Sequence, residues 1–349
     1  MHIAVLIPFR DRGDQKLLGW TLEGYAGQIL SPGNSTEVHV GIDGGDTSAT
    51  SAVQEMDVPG RAKVTVHAYP RIGAAAVRNK LAQECSGETE LLIFGNADAR
   101  PEPDMVQRHA DAMRSLPPKS LVLGSAPWEK PPQPTVFDAL LADTPMVFFY
   151  NQLTPHTWYD FRHCWTLNLS VRLQDFRASG GFHEILRPVY YEDLAFAFRL
   201  LGPDRKGVWY EPDARVLHRH PTTLQQYLDR EELLGLMSPV LAQAEPAAFA
   251  ALHGTIDPHS LSKPFRDWLA MDAAMHKWIF KRLQEWAALP ETDAGTGKSR
   301  ERLLMTIYQM HIPLKRLAFR LGYLRGLELL NDARWQERQP NGMWRSFVG

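Results

Sequence analysis

The chain has 349 residues, of which 44% are apolar and 22% charged, and its formal net charge is −2. This size and composition predict one large globular domain or two, and the near-neutral charge excludes a general attraction to nucleic acid or to an anionic membrane. Only two cysteines occur, Cys85 and Cys164, which is typical of a protein from a reducing compartment.

Through residue 125 the sequence alternates between strand and helix patterns. Short runs rich in Val, Ile and Leu predict five strands, and longer segments with helix-spaced apolar residues predict helices between them. The strand segments are HIAVLIPF, EVHVGID, KVTVHAY, ELLIFGNAD and SLVLGSAPW, and the helical segments are KLLGWTLEGYAGQIL and GAAAVRNKLAQEC. This alternation indicates βαβ units and a mostly parallel sheet flanked by helices.

Polar residues follow three of these strands. They are the groups PFRDR (8–12), DGGD (43–46) and NAD (96–98). Parallel sheets bind their ligands beyond the carboxyl ends of the strands, so we expect the three groups to line one edge of the sheet.

Beyond residue 125 the pattern changes twice. A proline-rich linker, EKPPQPT, precedes an aromatic region, MVFFYNQLTPHTWYDFRHCW, which predicts loop and helix. A strand, a turn and a helix follow, and GVWYEPDARVLHRH predicts one or two short strands that end in histidines. From Thr222 onward the apolar residues are helix-spaced. The predicted parts are therefore 1–125, 126–221 and a helical extension over 222–349.

An acid lies just beyond a predicted buried strand. The carboxylate of Asp98 suits a hard divalent cation, which would neutralise a bound nucleotide diphosphate. Asn96 and Asp98 are also explained by an Asx turn or a helix cap. His218 and His220, two residues apart after a strand, point the same way. One of them completes a metal site with Asp98, unless both are solvated surface residues.

A pair of acids opens a predicted helix in YYEDLAFAFRL. The helix dipole stabilises acids such as Glu192 and Asp193 at this position, which is a complete structural explanation. The functional alternative makes one of them a general base beside an acceptor hydroxyl. Gly180 and Gly181, in the preceding SGGFHE, allow close approach of a ligand or form a plain turn. Arg78 pairs with a phosphate or a carboxylate, or lies on the surface.

In this order, over roughly residues 3–220, the motifs resemble those of the family 2 glycosyltransferases. IPFRDR is similar to the PFR loop of the β1,4-galactosyltransferases, IDGGDTSAT to DGGSTDGT, and GGFHE…YEDLAFAFRL to GGFDE…EDxDLxxRL. The resemblance implies a GT-A fold, an α/β Rossmann-like sheet flanked by helices, here with a helical C-terminal extension. It implies a nucleotide-sugar-binding half at 1–125 and an acceptor- and metal-binding half at 126–221.

The resemblance also implies roles for single residues. Asp193 would be the catalytic base, and Glu192 an acceptor or orienting contact. Asp98 and His218 would bind Mn²⁺ or Mg²⁺, with His220 as the second choice of histidine. The residues that would contact the acceptor are Gly181 and Phe182. The residues that would bind the donor are Pro8, Phe9, Arg10, Asp43, Arg78, Asn96 and Asp98.

Three positions depart from the family pattern. Asn96 replaces the first acid of the Asp-x-Asp metal motif, and it brings hydrogen-bonding groups but no charge. Gly44 stands where a second acid is common, and Asp46 replaces the usual Ser.

The implied reaction is the inverting, metal-dependent transfer of a sugar from a nucleotide-diphosphate donor. A UDP-sugar is the favoured donor, and a hydroxyl of a glycan or a lipid-linked saccharide is the acceptor. Two alternatives stay open: a degenerate member that binds a sugar nucleotide without turnover, and a nucleotidyltransferase, although IPFRDRGD lacks the glycine-rich loop of that class. A dehydrogenase is disfavoured because no GxGxxG follows the first strand.

The segment PLKRLAFRLGYLRGLELL (313–330) carries basic residues among Leu, Phe and Tyr. We expect it to pack against the catalytic domain or to form a homodimer. The alternative is a peripheral contact with the membrane that carries the acceptor. Because neither a signal peptide nor a membrane-spanning apolar stretch is recognisable, we expect a cytoplasmic protein, either soluble or peripheral at the inner face of the membrane.

Overall fold

The computed structural model describes most of the chain, and contacts divide it into two compact units. The described residues are 1–10, 15–44, 53, 63–186, 190–271, 273–330, 332 and 342–348. Asp11, Arg12 and Asp46, which the sequence places in the polar groups, lie outside these ranges. The first unit contains Met1–Pro127, Leu153–Glu184 and Glu192–Arg219, and the second contains Trp128–Gln152, Ile185–Tyr191 and His220–Gly349.

The first unit is built on a mixed sheet, for which nine strands are described. They are β1 (His2–Phe9), β2 (Ser35–Asp43), β3 (Lys63–Tyr69), β4 (Thr89–Gly95), β5 (Ala99–Pro101), β6 (Leu121–Ser125), β7 (Trp158–Tyr159), β8 (Asn168–Arg172) and β9 (Val208–His218). Their order is β3-β2-β1-β4-β8-β6-β9-β5, and β7 pairs with β9.

Parallel pairing dominates the N-terminal half of this sheet, as the βαβ pattern predicts. β3, β2, β1 and β4 are parallel neighbours, whereas β8 runs antiparallel between β4 and β6.

Two predicted segments of the C-terminal half differ in detail from the structure. The segment GVWYEPDARVLH forms a single strand rather than two. The aromatic region contains only short 3-10 helices, Tyr150–Gln152 and Phe161–His163, and β7. Its aromatic residues lack a sustained helical spacing, so the predicted helix does not form there.

Five described helices belong to the first unit. They are α1 (Gln15–Ala26), α2 (Ala74–Glu84), α3 (Met105–Ser115), α5 (Leu173–Ala178) and α6 (Glu192–Leu201). Helix α2 lies very close to β2, because a Cβ at Gly41 would be only 2.4 Å from Val77 Cγ1. This approach fixes the height of α2 above the sheet, and with it the position of Arg78.

The second unit is helical, as expected of the C-terminal part. Its described helices are α4 (Val136–Asp143), α7 (Leu224–Ala244), α8 (Pro246–His253), α9 (Ser262–Met271), α10 (Ala273–Ala287), α11 (Gly297–Glu328) and α12 (Arg345–Val348). None of the helices described is long and apolar enough to cross a membrane.

Glycines let α7 and α11 pack backbone against backbone. A Cβ at Gly235 would lie 1.9 Å from the carbonyl oxygen of Phe319, and one at Gly322 would lie 1.8 Å from that of Glu232. The basic segment 313–330 falls largely in α11, and its apolar residues Leu314, Leu317, Leu321 and Tyr323 are buried. These residues are therefore part of the hydrophobic core of the second unit.

We expect Gly322→Ala to lower the free energy of unfolding by about 1–3 kcal/mol or more, because the new methyl group forces the two backbones apart. Gly27→Ala, just after α1, is the matched control, since its nearest atom would be 3.6 Å away. Urea denaturation followed by circular dichroism measures both. Equal midpoints for Gly322→Ala and the wild type would contradict the close packing.

Candidate active site

The strand β4 ends at a glycine because a helix residue occupies the space beside it. A Cβ at Gly95 would lie 2.7 Å from the hydroxyl oxygen of Tyr25, which is buried on α1. The chain then turns out of the sheet through Asn96 and Asp98, and both side chains are half-buried. The hydroxyl of Thr21 on α1 donates a hydrogen bond of 2.9 Å to the carbonyl oxygen in this turn, at Ala97.

Asp98 and His218 lie side by side at the edge of the sheet. β5 and β9 pair Ala99 with His218, and the amide of Arg219 donates to the carbonyl oxygen of Asp98 at 2.8 Å. These backbone contacts place Asp98 Oδ2 3.6 Å from His218 Nε2. A carboxylate oxygen and an imidazole nitrogen at this separation can bind one divalent cation, so the residues present fit a metal ion.

His220, the second choice of histidine, lies in the second unit. Its side chain is exposed, and its ring centroid is 6.2 Å from that of Trp128 in the same unit. Asp98 and His218 are therefore the pair that the first unit itself provides.

A buried arginine connects the Asn96 turn with the acids of α6. Arg78 is 2% exposed, and its Nη2 donates a 2.9 Å hydrogen bond to Asn96 Oδ1. Its Nη1 lies 3.5 Å from Glu192 Oε1, and Glu192 is likewise 2% exposed. Arg78 therefore bonds to a carboxylate and to the amide that replaces the first metal-motif acid.

The two acids of α6 have different surroundings. Glu192 faces Arg78, whereas Asp193 accepts a 2.8 Å hydrogen bond from the amide of Leu194 and another from the amide of Thr166. Burial, together with the negative charge of Glu192, raises the pKa of Asp193 to about 7, although the amides and Arg78 oppose the shift. A carboxyl group with this pKa can exchange a proton near neutral pH, which suits a general base.

The chain enters α6 through an unusual backbone. Tyr190 and Tyr191 have φ angles of 130° and 70°, a region in which a bulky side chain costs on the order of 1–3 kcal/mol. Such strain persists only where the surrounding structure imposes it.

The Gly181–Phe182 turn is held by Asn79, a residue to which the sequence assigns no role. Asn79 Oδ1 accepts from the amide of Phe182 at 2.9 Å, and its Nδ2 donates to the carbonyl of Phe182 at 2.9 Å and to Glu184 Oε1 at 3.0 Å. Gly181 has a φ of 68°, and a Cβ there would lie 2.7 Å from Asn79 Oδ1. In the sequence, only the neighbouring Arg78, the other half of the RN pair, pointed to this position.

The remaining candidates have simpler positions. Asp43 Oδ1 accepts the amides of Ile72 and Gly73, at 2.7 and 3.0 Å, and so holds the loop before α2. Phe9 and Phe182 are 2% and 3% exposed, so both rings belong to the core. Pro8 and Arg10 are half-buried at the end of β1.

The comparisons with known proteins agree with this architecture. Residues 4–171 match the family described as Glycosyl transferase family 2, and no curated protein matches the chain. The mannosyltransferase PcManGT from Pyrobaculum calidifontis, solved with GDP-Man and Mn²⁺, aligns with a TM-score of 0.53 and 17% identity over 95% of this chain and 87% of that one. This similarity shows the GT-A fold.

Two structures of S. aureus TarS are also similar. Residues 1–349 of TarS, solved in complex with UDP, align with a TM-score of 0.45 and 14% identity, over 95% of this chain and 91% of that one. A longer TarS chain aligns with a TM-score of 0.45 and 14% identity over 91% of this chain. The present chain spans 55% of the length of that longer protein.

The raised pKa of Asp193 predicts a pH-dependent stability. Its pKa is about 7 in the folded protein instead of 3.8, so the folded wild type holds this proton more tightly than the unfolded chain and loses stability as the pH rises from about 4 to about 7. Asp193→Asn removes the titrating group. The free energy of unfolding of this variant, relative to the wild type, should therefore increase over that range and then level off. Parallel curves from urea denaturation across this range would contradict the shift.

Proposed function

We propose that this chain, whose residues 4–171 match Glycosyl transferase family 2, is a glycosyltransferase that moves a sugar from a nucleotide-diphosphate donor to an acceptor hydroxyl with inversion. One observation carries the proposal. Arg78 joins the turn that precedes Asp98 to Glu192, beside Asp193, so the donor side and the candidate base form one continuous cluster.

The proposed base is Asp193. Burial and the charge of Glu192 raise the pKa of its carboxyl group to about 7, so its ionised form takes a proton more readily than an ordinary aspartate does. In the proposed step, Asp193 removes the proton of the acceptor hydroxyl, and the hydroxyl oxygen attacks the anomeric carbon from the face opposite the diphosphate. Glu192, held by Arg78, orients the acceptor.

On the donor side, Asp98 and His218 would hold Mn²⁺ or Mg²⁺. A bound ion stabilises the negative charge of the departing diphosphate. The 3.6 Å separation of their ligand atoms supports this assignment, as does the shared fold with PcManGT, which was solved with GDP-Man and Mn²⁺. Asn96 brings no charge and is engaged by Arg78, so the metal would depend on Asp98 more than it would in a site with two acids.

We propose a UDP-sugar as the donor and a glycan or lipid-linked saccharide as the acceptor. Pro8, Arg10 and Asp43 lie at the ends of β1 and β2, where a parallel sheet binds its ligand. A cytoplasmic location is proposed as well, and it is supported by the two cysteines, which are both free and buried.

Donor class and metal are tested together by thermal shift. We expect UDP with Mn²⁺ to raise the Tm of the wild type more than UDP alone does, and more than dTDP, GDP or CMP with Mn²⁺. Asp98→Asn should lose the metal-dependent part of the shift, because it removes the ligand charge. An equal shift with and without Mn²⁺ would contradict the metal assignment, and a larger shift with another nucleotide would reassign the donor.

Catalysis is tested with the donor that this panel selects. Asp193→Asn should lower transfer by at least about 100-fold, the usual contribution of a general base, while donor binding is retained. Asp175→Asn, a buried acid on α5 that accepts the amide of Lys119, is the matched control and should retain transfer. Unchanged turnover in Asp193→Asn would refute this base. A wild type that binds the donor but transfers to no acceptor would support the degenerate alternative.

A further inference from the structure

A second group of metal-binding side chains lies in the first unit, away from the candidate active site. Glu37 and His39 are on β2, Cys85 directly follows α2, and their ligand atoms all lie within 4.8 Å of one another. Asp43, at the carboxyl end of β2, is four residues beyond His39, which corresponds to about 13 Å along a strand. This group is therefore separate from the edge of the sheet that carries the proposed donor site.

The strand and helix periods bring these residues together. Glu37, His39 and Gly41 alternate on β2, so they share the face that lies beneath α2. Gly41 allows α2 to approach closely at Val77. Cys85 lies eight residues after Val77, about two helical turns further along, and this distance brings its thiol over the part of β2 that carries Glu37 and His39.

One carboxylate oxygen of Glu37 lies close to two imidazole rings. Glu37 Oε1 lies 3.2 Å from His39 Nε2 and 3.3 Å from Nε2 of His2 on β1. The side chains of His39 and Glu37 are only 5% and 12% exposed. Within the described part of the chain, neither Glu37 Oε1 nor His39 Nε2 has a well-aligned hydrogen bond. Buried polar atoms in this situation need an explanation, and an ion between them is one.

The other nitrogen of each ring is already engaged. His39 Nδ1 lies 3.1 Å from Nε2 of His67 on β3, and His2 Nδ1 lies 2.7 Å from Ser35 Oγ. Histidines that bind metals are usually fixed in this way, with one ring nitrogen held by a neighbour and the other directed at the ion. In both His39 and His2 the other ring nitrogen, Nε2, is directed at Glu37.

We propose that Glu37, His39 and Cys85 bind a zinc ion. Zinc bonds of about 2.0–2.1 Å to nitrogen and oxygen give a tetrahedral edge of about 3.3–3.4 Å, close to the 3.2 Å between Glu37 Oε1 and His39 Nε2. A set of sulfur, nitrogen and oxygen ligands favours zinc over Mn²⁺ or Mg²⁺, which prefer oxygen. The Cys85 thiol now donates to the carbonyl of Leu81 at 3.3 Å, and the ion would replace that bond.

The role of such an ion is structural. It would hold β2 and the end of α2 together, on the half of β2 that lies away from the proposed donor site. The absence of zinc would leave an ordinary cluster of ion pairs between Glu37 and the two histidines. The proposal does not depend on which reaction the enzyme catalyses, because its test reads binding and stability.

The test uses the full-length protein, stripped with a chelator, reloaded with Zn²⁺ and dialysed against metal-free buffer. We expect elemental analysis to find one zinc ion per chain, and Co²⁺ in its place to give a thiolate-to-cobalt charge-transfer band. Zinc should raise the Tm of the wild type by several degrees. Cys85→Ser should lose the band and the zinc-dependent shift. His67→Ala, which removes only the partner of His39, should weaken zinc binding by about 10–100-fold.

Two variants serve as controls. Cys164→Ser removes the other cysteine, and Asp98→Asn removes the proposed active-site ligand; both should keep the cobalt band. If Cys85→Ser fails to fold, His39→Gln tests the same site and should lose zinc binding. A wild type that retains no zinc, or an unchanged cobalt band in Cys85→Ser and His39→Gln, would overturn the proposal and leave the ion-pair cluster as the correct description.

Discussion

The candidate active site depends on one buried cation. Arg78 and Glu192 are each 2% exposed, and removing one partner of such a pair costs about 3–5 kcal/mol, because the other charge is left buried and uncompensated. Arg78 also donates to Asn96. One guanidinium group therefore sets the distance between the turn after β4 and the start of α6, and any displacement of α2 would move both.

The same ion pair separates the roles of two adjacent acids. Glu192 faces a cation across 3.5 Å, whereas Asp193 has backbone amides as its hydrogen-bond donors and a carboxylate as its neighbour. Burial and that neighbour raise the pKa of Asp193 to about 7. Carboxyl groups whose environments differ in this way commonly divide the work of an active site, one as proton acceptor and the other as a fixed charge.

Helix α2 carries Arg78 and Asn79, and it is held at both ends. Before its first turn, Asp43 accepts the amides of Ile72 and Gly73. After its last turn, Cys85 lies beside Glu37 and His39, where we propose the zinc ion. Both halves of β2 thus contact the same helix. The proposed metal site would therefore stabilise the helix that carries Arg78 and Asn79 without touching a substrate.

The sequence by itself determined the strands of the N-terminal half, the edge of the sheet that gathers polar residues, and the resemblance to a glycosyltransferase family. These follow from local periodicity and from motifs of a few residues, which need no knowledge of distant contacts. Only the tertiary structure decided that Arg78 bonds to Asn96 and Glu192, and that Cys85 meets His39. Those partners are far apart in the chain, and the strength of each contact depends on how deeply folding buries it.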